Sequence, residues 1–173
     1  MKQWDTPIQE DHQALMAQAG ALEAALTVDV PTRDRWVVLS WTLKGLHPSL
    51  ELHLRKEEET LFPALQRVMG KEAGAVTLLK EQHHELRAAL RHLAELIQDA
   101  ENLNWTGIQL AAEGFIDFLE DHEKKEEKLL IHVLEKNLKP KALAELAEEF
   151  QQVAQRAYVE EGWPARRLVG RLR

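Results

Sequence analysis

Apolar residues recur along most of this chain at alternating steps of three and four, the spacing that keeps side chains on one face of an α-helix. Ile8, His12, Leu15, Ala19, Leu22 and Leu26 form the first such seam. Thr6 precedes Pro7, an N-cap followed by proline at the first helical position, so the helix starts there. Thr27–Thr32, with Pro31, ends it and turns the chain. A second run begins near Thr32 or Asp34 and carries Leu39, Leu43, Leu46, Leu50, His53, Glu57 and then Thr60 or Leu61. Gly45 and Pro48 fall inside it. A proline there removes a helical hydrogen bond and crowds the preceding turn, so a kink or restart is expected near His47. Pro63 predicts a further bend, with the helix resuming as far as Met69 before Gly70. The third helix, from about Glu72 to Ala100, has the cleanest seam: Val76, Leu79, His83, Leu86, Leu90, Leu93 and Ile97. Asn102–Gly107 makes the turn to a fourth helix carrying Phe115, Leu119, His122, Glu126, Leu129 and Val133. Lys139-Pro140 opens a fifth, with Leu143, Leu146, Phe150, Val153 and Ala157 on one face.

The seams repeat. Glu10–Leu26 resembles Glu81–Leu96, and His53–Leu65 resembles His122–Leu134. His12 and His53 lie 41 residues apart, His83 and His122 lie 39 apart. Two helical hairpins of one plan predict an all-α, up-down-up-down four-helix bundle over residues 1–137. Residues 138–161 add a C-terminal helix packed on it, and 162–173 form a basic tail with Arg166, Arg167, Arg171 and Arg173. The tail reads as a frayed end, with contact to a partner or an anionic surface as the alternative.

Composition narrows the chemistry. The 173 residues are 45% hydrophobic and 29% charged, with a net charge of −7 and no cysteine. That mix suits a soluble globular protein, and the acidic balance argues against nucleic-acid binding. Without cysteine there are no disulfides, iron–sulfur clusters or thiolate metal sites, so any metal must be held by nitrogen and oxygen. The N-terminus lacks a signal-peptide apolar run and no stretch of eighteen apolar residues occurs, so a cytoplasmic protein with no membrane contact is expected.

Six ionisable residues stand in seam positions where leucine would be the structural choice: His12, His53, Glu57, His83, His122 and Glu126. His53/Glu57 and His122/Glu126 are each four residues apart, about 400° of rotation and about 6 Å of rise, so each pair leaves one face. A lone seam histidine is usually a satisfied core residue. A carboxylate in an apolar core costs several kcal/mol unless paired or metal-bound, and two at equivalent positions beside four histidines favour a metal site. A buried His–Glu hydrogen-bond network without metal is the alternative. His47, His84, His92 and His132 fall off the seams and read as surface or boundary residues, His47 lining an entrance. Trp36, Trp41 and Trp105 read as core or helix-end packing.

His12, the His53/Glu57 pair followed by Glu58 and Leu61-Phe62-Pro63, His83, and the His122/Glu126 pair resemble the hemerythrin-like (HHE cation-binding) family over roughly Gln9 to Leu134. The resemblance implies two non-haem iron ions, oxo- or hydroxo-bridged, with Glu57 and Glu126 bridging and the histidines terminal. Manganese or zinc would also suit nitrogen and carboxylate donors. Glu127, five residues after His122, is the alternative second bridge; Glu126 is favoured because it matches Glu57 in the repeat. Oxygen carriers of the family have a further histidine four residues after the third-helix ligand, where this chain has Arg87. The ligand set is therefore most similar to the repair-of-iron-centres type, whose members usually carry an N-terminal cysteine-containing module. The expectation is a protein that binds a small diatomic ligand, O2 or NO, for sensing, storage or scavenging. The alternative is a di-iron enzyme, served by an electron donor protein, that reduces NO or peroxide or donates iron for iron–sulfur cluster repair. A metal that merely clamps the bundle is the third reading. No catalytic residue is singled out.

Overall fold

The computed structural model describes residues 4–27, 32–70, 74–98 and 104–159. The expected turn through Pro31 lies mostly outside them, as do the edges of the third helix beyond Gly74 and Gln98 and the basic tail. Four long helices form the body: α1 (Thr6–Thr27), α2 (Thr32–Lys56), α4 (Gly74–Gln98) and α5 (Trp105–Glu126). Two short ones, α3 (Phe62–Met69) and α6 (His132–Asn137), extend α2 and α5. The last, α7 (Pro140–Val159), is separate. α1 packs along α2 and α4 along α5 as two hairpins; α2 meets α4 and α1 meets α5, closing the expected four-helix bundle.

Local signals set the ends. Gly70, at φ 87°, stops α3 in a conformation that side chains disfavour. Asn104 caps α5 by accepting from the Gly107 amide at 3.0 Å. A Cβ on Gly107 would lie 2.6 Å from the Asn104 amide nitrogen, so glycine suits that position.

Two irregularities flank the centre of the bundle. Between α2 and α3, residues Glu57–Leu61 form a π-helical turn; Glu127–Ile131 form another between α5 and α6. The Phe62 amide bonds the Glu57 carbonyl and the His132 amide bonds the Glu127 carbonyl, five residues back in each case. The first of these turns ends two residues before Pro63, where a bend was expected. Each inserts a residue into the helical repeat, so the buried face slips by one. Leu130 and Leu134 are therefore buried where Leu129 and Val133 were expected, and both Thr60 and Leu61 turn inward rather than one of them. Thr60 also donates its hydroxyl to the Lys56 carbonyl at 2.6 Å.

Other expectations are corrected. Of the kink or restart expected near His47, the restart does not occur: α2 runs unbroken through Pro48. Lys44, whose carbonyl loses its amide partner there, lies on the exposed side with Gly45, where water can take the bond. Trp41 is 68% exposed rather than packed, because it stands on the outer face of α2 with Lys44 over its ring. Trp36 and Trp105 do pack against the core, and the Trp36 indole donates to the Ile97 carbonyl at 2.7 Å. On α1 the last buried position is Ala25, with Leu26 only half-buried.

The apolar core is split. Leu15, Leu50, Leu86 and Leu119 belong to one cluster, whereas Ile8, Leu61, Leu79 and Leu130 belong to another. On every bundle helix, the seam passes from one cluster to the other through His12, His53/Glu57, His83 or His122/Glu126. A polar layer therefore crosses the bundle between two apolar ones. α7 covers its α2 side: Leu143, Leu146 and Phe150 join the second cluster, Ala157 meets Leu52, and Arg156 bonds Glu59 at 2.8 Å.

Candidate metal centre

The helical seams converge at this layer because the hairpins are near-copies. Equivalent positions on α1 and α4 present His12 and His83, while α2 and α5 present His53 with Glu57 and His122 with Glu126. All six are buried. They form two groups, His12–His53–Glu57–Glu126 and Glu57–His83–His122–Glu126, with the donor atoms of each within 4.8 Å of one another. The carboxylates belong to both groups.

The shared oxygens are divided between the halves. Glu57 Oε1 lies 3.2 Å from His53 Nε2 and 3.8 Å from His12 Nε2, while its Oε2 lies 3.2 Å from His83 Nε2. Glu126 Oε2 lies 3.3 Å from His12 Nε2, and its Oε1 lies 3.6 Å from His122 Nε2 and 4.0 Å from that of His83. Each group thus offers two imidazole nitrogens and one oxygen from each carboxylate. Both oxygens of Glu57 and Glu126, and the Nε2 atoms of all four histidines, are buried without a hydrogen-bond partner. Buried polar atoms are nearly always satisfied, so this convergent set fits a bound cation. Imidazole and carboxylate donors without thiolate suit non-haem iron.

The hemerythrin HHE cation binding domain matches residues 6–134. The chain belongs to this family. Among curated proteins, this HHE chain is 30% identical over 104 residues to the iron-sulfur cluster repair protein YtfE of Dickeya chrysanthemi (strain Ech1591), covering 57% of this chain and 43% of that protein. It is 28% identical over 108 residues to the protein of the same name in Salmonella paratyphi B, covering 59% and 46%. The chain spans less than half the length of these relatives. No solved structure matches it significantly.

In this HHE domain the outer nitrogens of two histidines are hydrogen-bonded and that of a third faces a carboxylate. His83 Nδ1 lies 2.8 Å from Glu58 Oε1, which accepts from Arg87 Nη1 at 2.7 Å; Arg87 Nε reaches Glu51 at 3.2 Å. His53 Nδ1 lies 3.5 Å from Asp11 Oδ2, and Lys56 donates to that same oxygen at 2.6 Å. His122 Nδ1 lies 3.4 Å from Gln82 Oε1. Such outer contacts fix the ring orientation and the tautomer that leaves Nε2 free for metal. Arg87 thus serves as a support for His83 through Glu58, outside the group of donors.

The electrostatics show what the cluster does without a cation. Burial alone would depress His12 and His83, but Glu126 and Glu57 against His12, and Glu57 and Glu58 against His83, outweigh it and raise them to about 10 and about 9. Burial pushes His122 down to about 3. Burial would raise Glu57, yet His53 and its other histidine neighbours hold it well below the usual range. Burial and the charge of Glu57 push Glu126 well above it. Burial would likewise raise Glu58, but His83 and Arg87 hold it down at about 2. Protons on histidines therefore compensate the carboxylate charge that a metal would otherwise compensate.

Of the alternatives left open by the sequence, Glu126 joins the cluster; Glu127 is exposed and accepts from Gln9 Nε2 at 3.1 Å. Off-seam His84, His92 and His132 are exposed, and His47 is half-buried outside both groups. The sequence reading missed Asp11 and Gln82, although a signal existed: they precede His12 and His83 at equivalent places in the repeat. It also missed Glu123, whose Oε1 is buried without a partner and whose carboxyl burial raises to about 7. Among the described residues, no helix is long and apolar enough to cross a membrane.

Proposed function

We propose that the chain holds two non-haem iron ions, one in each His2Glu2 group, bridged by Glu57 and Glu126, and that it serves iron–sulfur cluster repair by donating iron. The observation that carries this reading is the division of the carboxylate oxygens between two groups with four donors each. Four protein donors leave an iron coordination positions to spare, and a ferrous pair supplies electrons as well as exchangeable metal. His12, His53, His83 and His122 would hold the ions at Nε2, and Asp11, Glu58 and Gln82 would orient the rings. The relatives named as iron-sulfur cluster repair proteins favour donation over storage of a diatomic ligand. Arg87 supports the same choice, since it stands where the resemblance places an extra histidine in oxygen carriers.

A second reading, reversible binding of O2 or NO, is favoured by the pocket reaching His12 at the α1–α5 face. One experiment separates the two. The reduced, iron-loaded chain is mixed under argon with a dehydratase whose [4Fe–4S] cluster has lost one iron. Donation predicts recovery of dehydratase activity with matching loss of iron from the chain. A chain that keeps its iron and forms a stable, reversible visible band with O2 or NO would support the second reading.

A further inference from the structure

The six donor residues are unequally covered. Glu57, His83, His122 and Glu126 are fully buried and His53 nearly so, whereas His12 retains 7% exposure. On the α2–α4 side, the Arg87 bridge between Glu58 and Glu51 lies over His83, and the Phe62 ring stands 4.9 Å from the same imidazole. Beside His53, the Asp11–Lys56 pair fills the space, with the Lys56 ammonium 4.9 Å from the Phe150 ring under α7. Gln82 covers His122. Between α1 and α5 the cover opens instead into a pocket of about 450 Å³, lined by Gln9, His12, Gln13, Met16, Glu123, Lys124 and Glu127.

The lining of this pocket is informative. His12, more than nine-tenths buried, contributes an Nε2 with no hydrogen-bond partner. Glu123 contributes a buried Oε1 that likewise has none. Apart from Met16, the rest of the rim carries oxygen: Gln13, Gln9 and Glu127, the last accepting from Gln9 Nε2 at 3.1 Å, with Lys124 drawn toward Glu120 at 3.1 Å. Oxygen donors of this kind suit a hard, hydrated divalent cation. Six waters and an ion need roughly 200 Å³ at about 30 Å³ per water, so a hydrated cation fits.

Resting on the metal-holding reading of the site, we infer that the α1–α5 pocket is the port through which a hydrated divalent cation enters and leaves the centre, with Glu123 as a carboxylate way-station beside His12. The His12/His53 ion exchanges first, and the ion between His83 and His122 lies behind it. Metal identity and oxidation state are unchanged in passage; only water and protein donors are exchanged.

Cobalt(II) tests this, because its visible absorption reports entry into a nitrogen–oxygen site. Uptake by the metal-free full chain, and release to excess EDTA, are followed by stopped flow. Gln13→Trp, on an exposed rim position, should slow both rates about tenfold, and Glu123→Gln should slow them less, while final absorbance and stoichiometry stay unchanged. Glu85→Trp, on the exposed face of α4, should leave the rates as they are. Normal rates with full loading in both Gln13→Trp and Glu123→Gln would overturn the port while leaving the metal site standing. Failure of the unaltered chain to take up cobalt would overturn the metal-holding reading, and the port with it. Should Gln13→Trp fail to fold, Glu123→Gln, which keeps shape and removes charge, decides the matter.

Discussion

Glu58 Oε1 lies 2.8 Å from His83 Nδ1, so the residue after one shared carboxylate fixes the ring of a histidine on another helix. A support of this kind sets both the direction and the basicity of the ligand it holds. Glu58→Ala should therefore weaken metal affinity by about 10–100-fold while leaving the stoichiometry intact. Competition against a calibrated chelator measures it. Wild-type affinity in the variant would remove Glu58 from the account.

Protons and metal compete for the same nitrogens. With His12 raised to about 10 and His83 to about 9, the metal-free chain at pH 7 carries both in protonated form. Binding requires neutral imidazole and ionised Glu126, whose carboxyl is held well above its usual range, so metal uptake should release at least two protons per chain at pH 7, and affinity should rise with pH up to about 10. Calorimetry in buffers of different ionisation enthalpy gives the proton count. No proton release would contradict the electrostatic picture.

The same shifts predict how the metal-free fold responds to pH. A histidine raised from 6.5 in the folded state stabilises the fold fully below 6.5, and loses that contribution as pH rises through its folded value. The metal-free chain should lose melting temperature as pH rises toward 9–10, whereas the loaded chain, whose imidazoles are already neutral, should change less. Thermal melts of both forms across that range check the sign.

Phe150, on α7, is fully buried in the second apolar cluster and carries the Lys56 ammonium on its ring. Phe150→Ala should destabilise the chain by about 3–5 kcal/mol. Through Lys56 and Asp11 it should also loosen His53, so metal retention should fall along with stability. Urea unfolding and metal analysis on the same preparation measure both. Unchanged retention in a destabilised variant would confine α7 to packing.

Much of this was legible in the sequence, because a seam is a local property. The steps from Val76 to Ile97 name the buried face of α4 apart from Gln82, and Leu143 to Ala157 name that of α7 residue by residue. The ionisable interruptions, His12, His53, Glu57, His83, His122 and Glu126, meet at one level because the repeat gives them equivalent heights. What the sequence hid depends on departures from the α-helical period or on contacts between helices. No residue pattern announces a π-helical turn, so the seam after Glu126 was placed on Leu129 and Val133, one residue from Leu130 and Leu134. Pro48 looked like a break because its lost hydrogen bond is local, while the water available to Lys44 is not. The approach of Asp11 to His53 joins two helices, and no spacing along one helix contains it.

Sharing of Glu57 and Glu126 between two metal ions underlies every step of the proposed chemistry. Metal analysis of the chain, produced without added metal and reconstituted with ferrous iron under argon, measures it most directly, alongside Glu57→Ala, Glu126→Ala and Glu127→Ala. About two iron ions per wild-type chain are expected, with near-complete loss in Glu57→Ala or Glu126→Ala because each carboxylate serves both groups, and full loading in Glu127→Ala. One ion or none in the wild type, or a Glu126→Ala chain that keeps both, would contradict it.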